Sequence, residues 1–218
     1  KHQFDAWLRS RNEENFALFM EMGTGKSKVA IDNFSYLYDQ GKIDSVLLVA
    51  PKGVYRNWSD REIPKHLAAH IVHTTAVWTA TKAKLKELAN ILKGGYDLRI
   101  LVMNIEAFST GNGKSFAKKF VNSGKCFLVI DESTTIKNHS AQRTKSVMNV
   151  GIQAKYRRIL SGLPVTNSPM DLYSQCKFLD EHLLGFSSYY SFRNRYALMN
   201  KLNLGGRAFT KVVGYQRL

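Results

Sequence analysis

Acidic residues are scarce in this chain of 218 residues: 17 Asp and Glu stand against 32 Lys and Arg, a formal charge of +15. Such an excess points to a polyanionic partner. Cysteine is scarcer still. Cys126 and Cys176 stand alone, which excludes a disulfide framework and a cysteine-built metal site, and fits a reducing, intracellular setting. No apolar run approaches the roughly 20 residues that a membrane span needs, so no membrane partner is expected. The chain opens on Lys1-His2-Gln3 with neither Met nor a leader pattern, and reads as a fragment or a processed chain. What remains is ordinary. With 44% hydrophobic and 22% charged residues, the composition suits a folded core, not a disordered tail or a coiled coil.

The charge is unevenly spread. From Ser133 to Met170 there is no acid, but there are Lys137, Arg143, Lys145, Lys155, Arg157 and Arg158. From His182 to Leu218 there is again none, with Arg193, Arg195, Lys201, Arg207, Lys211 and Arg217. The second stretch interleaves Phe186, Tyr189, Tyr190, Phe192, Tyr196, Phe209 and Tyr215. Basic residues among aromatics can track phosphates and stack bases; a solvated basic surface over a few core aromatics fits equally well.

Short apolar runs predict strands at Phe16–Met20, Ser45–Ala50, His70–Val77, Arg99–Val102, Phe127–Ile130 and Arg157–Leu160. Helical patterns lie at Phe4–Arg11, Lys26–Tyr38, Tyr55–Arg61, Lys82–Lys93, Lys114–Val121, Ala141–Val150 and Met170–Leu179. The alternation predicts an α/β fold, a parallel sheet with helices on both faces. Ligands of such sheets bind at the carboxyl ends of the strands. From about residue 182 the acids vanish, and 182–218 reads as a basic, partly extended extension of a domain covering 1–181.

Glu21-Met22-Gly23-Thr24-Gly25-Lys26-Ser27 follows the first strand and opens a helix. Gly23 and Gly25 allow a tight backbone cradle, and successive N–H groups at a helix start form an anion nest. Lys26 can reach β- and γ-phosphates, and the Ser27 hydroxyl can ligate Mg²⁺. The strict phosphate-loop pattern asks for Gly where Met20 stands, so a plain glycine turn with an incidental Lys-Ser is the competing reading. Phe127-Leu128-Val129-Ile130 then runs into Asp131-Glu132, which places two carboxylates at the same sheet edge. Asp131 can hold the Mg²⁺ that Ser27 also binds, and Glu132 can orient or deprotonate an attacking water.

These motifs resemble those of superfamily-two helicases, in particular the Swi/Snf-type DNA translocases. The Glu21–Ser27 stretch is similar to motif I in the form usual for that branch, where Met20 is no anomaly. Val49-Ala50-Pro51-Lys52, with Trp58 beyond, resembles motif Ia, and Met103-Asn104-Ile105-Glu106-Ala107-Phe108 resembles motif Ib. Asp131-Glu132-Ser133-Thr134, with Ile136-Lys137-Asn138 behind it, resembles motif II. Arg158 to Asn167 resembles motif III and its sequel, His2-Gln3 the glutamine motif, and Val213-Gly214-Tyr215 the stretch leading out of the first lobe. The resemblance implies a RecA-like phosphate-loop NTPase lobe that binds ATP and Mg²⁺. It implies Gln3 at the adenine, Gly23, Thr24, Gly25, Lys26 and Ser27 around the phosphates, and Lys26, Asp131 and Glu132 in catalysis. Lys52, Asn104 and Lys137 would contact nucleic acid, and Thr134, Ser161 and Gly162 would couple nucleotide state to that grip. Motifs IV to VI of a second RecA-like lobe do not occur here. That lobe supplies an arginine finger, so the chain alone is expected to bind ATP and hydrolyse it poorly. Two departures fall on the coupling path: Thr134 stands where His is usual, and Leu163 where Thr is common.

The six histidines show no metal spacing; His66 and His70 share a helical interval but no intervening ligand. Cys126, Cys176, Trp7 and Trp78 read as packing residues. Trp58 is balanced between packing and stacking on DNA, and Lys82, Lys84, Lys86 and Lys93 read as a solvated helix face. The leading function is the ATP-binding lobe of a duplex-DNA translocase. A strand-separating helicase on DNA or RNA, a binding module that keeps the fold without catalysis, and a phosphate-loop kinase are the alternatives.

Overall fold

The apolar runs that favour burial on both faces become the middle of one sheet. The computed structural model describes residues 1–81, 85–93, 97–204 and 207–216. Helix α1 (His2–Ser10) precedes β1 (Asn15–Phe19), α2 (Lys26–Asp39) and β2 (Ser45–Ala50). After β2 come α3 (Tyr55–Asn57), a π-helical turn (Trp58–Glu62) and α4 (Ile63–His66), then β3 (His73–Val77) and α5 (Leu85–Ile91). Strand β4 (Leu98–Asn104), α6 (Gly111–Val121), β5 (Cys126–Ile130), α7 (Gln142–Gly151), β6 (Tyr156–Ser161) and α8 (Asp171–Leu179) follow. The chain continues through α9 (Tyr189–Tyr196), β7 (Ala197–Leu204) and β8 (Arg207–Tyr215).

The first six strands form a parallel sheet in the order β1-β6-β5-β2-β4-β3. Every residue of β2 and β5 is buried, whereas the edge strands β1 and β3 are only partly so. Strand periodicity then splits the side chains between two cores. Leu47, Val49, Leu101, Met103, Leu128 and Ile130 face α5, α6, α7 and α8. Val46, Leu48, Ala50, Ile100, Val102 and Val129 face α2 and the Tyr55–Ile63 segment. Because all six strands run the same way, every segment leaving a strand's carboxyl end emerges on one edge.

The expected elements lie within a few residues of those observed. Strand β3 starts at His73, not His70, because residues 68–71 close a turn (Ile71 N–H to Ala68 C=O, 3.0 Å) and His70 pairs with Asp39 at 2.9 Å. The Tyr55–Arg61 helix is interrupted by the π turn. Lys82, Lys84 and Arg217 lie outside the described residues.

Residues 182–216 hold more regular structure than their polar composition suggested. Ser188 and Ser191 form a reciprocal capping box that starts α9, and β7 and β8 pair as an antiparallel hairpin separate from the main sheet. Phe192 is buried against Met170 and Tyr173, with Phe186, Tyr189 and Tyr196 around it. Tyr189 also stacks on His139 with ring centroids 3.6 Å apart. These aromatics are occupied with one another, so base stacking by them is corrected to core packing against α8.

Candidate nucleotide site

The loop between β1 and α2 is shaped by its glycines. Gly23 has φ +75° and Gly25 φ +89°, both in the region that side chains avoid. Gly25 is also crowded, since a Cβ there would lie 2.4 Å from Gln3 Nε2. That amide donates to the Thr24 carbonyl at 3.0 Å, and His2 Nε2 lies 3.0 Å from the same oxygen. Helix α1 is thereby pinned over the loop, and Gln3 supports the loop backbone directly. Lys26 Nζ donates to the carbonyls of Met20 (3.0 Å) and Glu21 (3.1 Å). The ammonium is thus folded into its own loop, where an incoming phosphate would exchange for two neutral carbonyls.

Two strands away in the sheet, β5 delivers Asp131 and Glu132. The Asp131 N–H donates to the Val49 carbonyl of β2 at 2.8 Å and continues the ladder. Its carboxylate accepts from the Glu132 N–H at Oδ1 (3.0 Å) and from the Trp58 indole N–H at Oδ2 (2.9 Å). Burial pushes the Asp131 carboxyl above the usual range; the Trp58 hydrogen bond and the charge of Lys26 pull against it, and Glu132 pushes it further up. Among the described residues, no cation forms an ion pair with it. One lone-pair direction on each oxygen is left for a ligand, and a carboxylate oxygen together with a hydroxyl such as that of Ser27 is the hard oxygen set that suits Mg²⁺. Glu132 holds φ +49° and ψ +62°. It is the one described non-glycine residue at positive φ, a strain of the kind that gathers at functional sites.

Strand β6 lies between β1 and β5, so the segment that leaves it touches both. The Met20 N–H donates to the Ser161 carbonyl at 3.2 Å. Gly162 packs on the phosphate loop, and a Cβ there would lie 3.0 Å from Met22 Cγ and 3.7 Å from Lys26 Nζ. Ser161 Oγ accepts from the Leu163 N–H at 3.1 Å and shapes the same turn. Thr134 is half-buried in the 3₁₀ turn Ser133–Ile136, and its carbonyl accepts from the Lys137 N–H at 3.2 Å. The link between the acidic pair and the β6 turn runs through its neighbour. Ser133 Oγ donates to Gln175 Oε1 at 2.6 Å, and Gln175 Nε2 donates to the carbonyls of Pro164 (2.7 Å) and Asp171 (2.8 Å). Ser133 and Gln175 are both fully buried. Gln175 was not singled out by sequence; a polar residue in the apolar pattern of α8 was the available signal.

The expected nucleic-acid residues are dispersed along this edge. Lys52 is exposed in the turn after β2. Asn104 spends its side-chain oxygen on the Ala107 N–H (2.8 Å), capping a 3₁₀ turn. Lys137 is tied to Thr166 and pairs with Asp171 at 3.5 Å. The basic stretch around β6 also needs correction. Lys155, Arg157 and Arg158 stand at the amino end of the strand, across the sheet from the nucleotide edge. Lys155 pairs with Glu14 at 3.2 Å, and Arg157 donates to Asn15 Oδ1 at 2.9 Å. Arg158 is fully buried and spends all five N–H groups on Asn33 Oδ1 and the carbonyls of Glu14, Arg157, Ser10 and Glu13. Burial lowers its pKa to about 10, which leaves it charged at neutral pH. It is a structural clasp, not a phosphate contact. Trp58 is likewise packed, at 2% exposure, and cannot stack on a base.

Comparison with known proteins agrees with this geometry. The chain is 28% identical over 190 residues to a probable ATP-dependent DNA helicase of Arabidopsis thaliana, covering 85% of this chain and 16% of the relative. It is 28% identical over 177 residues to a DNA repair and recombination protein of Oryza sativa subsp. japonica, covering 78% of this chain and 17% of the relative. The chain thus spans about a sixth of the length of these curated relatives. Among solved structures, the Sulfolobus solfataricus SWI2/SNF2 ATPase core in complex with dsDNA superposes with a TM-score of 0.70 at 27% identity. That match covers 89% of this chain and 38% of the other. The sheet order and these neighbours make the fold a RecA-like α/β lobe. Residues 2–207 match the SNF2-related domain, and the chain belongs to that family.

Proposed function

We propose that this chain is the ATP-binding first lobe of a nucleic-acid-dependent ATPase, a Swi/Snf-type translocase on duplex DNA. The observation that carries the reading is the convergence of the Gly23–Ser27 loop, the Asp131-Glu132 pair and Gly162 on one sheet edge, inside a SNF2-related domain. Gly23, Thr24, Gly25 and Ser27 cradle the phosphates, and Lys26 leaves its two carbonyls for the β- and γ-phosphates. Ser27 and Asp131 hold Mg²⁺, which supplies charge neutralisation at the phosphates. Glu132 orients or deprotonates the attacking water. Gln3, already bound to the loop, is the candidate adenine contact. Gly162 and Ser161 lie where movement of Lys26 would be felt, and Thr134 sits beside that path, so these three are the coupling residues. Lys52 is the exposed candidate for a DNA phosphate; Asn104, which caps the turn after β4, and Lys137, tied to the turn before α8, are the other nucleic-acid candidates on this edge. Residues 1–181 form the nucleotide-binding lobe, and 182–218 the basic extension towards a second RecA-like lobe.

The 218-residue chain should bind a fluorescent ATP analogue, and Lys26→Ala should abolish that binding. Its own turnover should be slow, because an arginine finger from a second lobe contributes about 10³ to 10⁵ in rate. In a protein that carries both lobes, duplex DNA should stimulate ATP hydrolysis and Glu132→Gln should abolish it. Displacement of a triplex strand without duplex unwinding distinguishes translocation from strand separation. Rapid multiple turnover by the 218 residues alone, or full activity in Glu132→Gln, would overturn the reading.

A further inference from the structure

We propose that Trp58 is a positioning residue for the carboxylate of Asp131: its indole N–H fixes which face of that group is offered to the metal ion. The inference rests on the reading of Asp131 as a Mg²⁺ ligand. Trp58 and Asp131 are 73 residues apart in the chain, yet the indole nitrogen lies 2.9 Å from Oδ2. An indole can only donate and an ionised carboxylate can only accept, so the polarity of this contact is fixed. The Glu132 N–H occupies Oδ1. With one donor on each oxygen, the carboxylate cannot rotate about Cβ–Cγ without losing both bonds.

The donor is held as firmly as the acceptor. Trp58 opens the π turn, whose closing bond runs from the Ile63 N–H to the Trp58 carbonyl. That wide turn lets Trp58 and Ile63 both face the sheet, at 2% and 1% exposure. A π turn departs from the ordinary helical ladder and is frequent at functional sites. Trp58 packs in the same core as Leu48, Ala50 and Tyr55, so its ring is held within that core, which also takes in side chains of the strand whose Val49 carbonyl holds the Asp131 backbone. The backbone of Asp131 is therefore held by β2 and its side chain by the segment that follows β2. Partners of this kind orient metal-binding carboxylates and tune their affinity.

The test compares Trp58→Phe with the unaltered 218-residue chain. Phenylalanine keeps an aromatic ring in the core and removes the N–H. A fluorescent ATP analogue is titrated in chelator and again across a Mg²⁺ series. Affinity in chelator should be unchanged, while the Mg²⁺ concentration needed for tight binding should rise about 10- to 100-fold. Asp131→Asn is the control and should also lose the Mg²⁺ response. If Asp131→Asn keeps that response, the reading of the site fails, and with it the role of Trp58. If Asp131→Asn loses the response and folded Trp58→Phe keeps it, the positioning role alone is overturned. A second readout covers failure of Trp58→Phe to fold. The ¹⁵N indole resonance of Trp58, assigned with Trp7→Phe and Trp78→Phe, should shift when Mg²⁺ is added to the nucleotide-bound unaltered chain. An unmoved resonance would overturn the proposal.

Discussion

Glu132 pays a conformational cost. A left-handed conformation costs a side-chain-bearing residue roughly 1–2 kcal/mol, and Glu132 adopts it directly before Ser133, which is buried and bonded to Gln175. Glycine adopts φ +49° freely but gains disorder in the unfolded chain. The two effects differ in size, so Glu132→Gly should be at least as stable as Glu132→Gln in urea unfolding. Arg158 shows the opposite logic, a charge buried without a carboxylate in contact and held by five neutral acceptors. Arg158→Met should cost about 3–5 kcal/mol in urea unfolding, because it strands acceptors from Ser10, Glu13, Glu14 and Asn33. Arg158→Lys should recover little of this, since a single ammonium has three donors and lacks the planar fork.

At the scale of elements, the turn between β6 and α8 is organised by one carboxylate. Asp171 accepts from the Thr166 N–H, the Thr166 hydroxyl and the Asn167 N–H at 2.9–3.0 Å, with Lys137 beside it. Burial pushes its carboxyl up, but the bonds from Asn167 and Thr166 and the charge of Lys137 together outweigh that and leave it below the usual range. A carboxylate depressed in the folded state contributes stability that is complete above its unfolded value, about 3.9, and is lost as pH falls further through its folded one. Asp171→Asn should therefore lower stability at neutral pH and flatten the acid limb, as thermal unfolding across pH will show. The elements themselves were largely legible. Central strands such as Ser45–Ala50 and Phe127–Ile130 announce themselves by unbroken apolar runs, and the phosphate loop by its glycines. Helix α9 and the β7–β8 hairpin escaped because polar and basic residues mask the period of the few buried ones. The contacts of Trp58 and Gln175 escaped for another reason: each meets a partner 73 or 42 residues away, and no local pattern encodes such a meeting.

For the whole molecule, net charge proved a coarse guide. Part of the excess lies across the sheet from the candidate nucleotide edge, paired or buried, and cannot displace counterions from DNA phosphates there. Binding to duplex DNA should still weaken steeply with salt. Lys52→Ala should lower the slope of log affinity against log salt by about 1. Lys155→Ala, at the far end of β6 and paired with Glu14, should leave the slope unaltered. Salt titrations of the two variants side by side check this.

The place of β6 in the sheet also governs the order in which the molecule can come into being. Strand β1 pairs with β6 and with no other described strand. Residues of β1 leave the ribosome about 140 positions before those partners do, a gap of many seconds at typical rates of synthesis. Through that interval the phosphate loop has a helix ahead of it but no strand to spring from. Arg158, arriving with β6, closes the clasp over Ser10, Glu13 and Asn33 in the same event. Within this domain the candidate phosphate loop therefore lacks its neighbouring strand until residues 157–161 have been made.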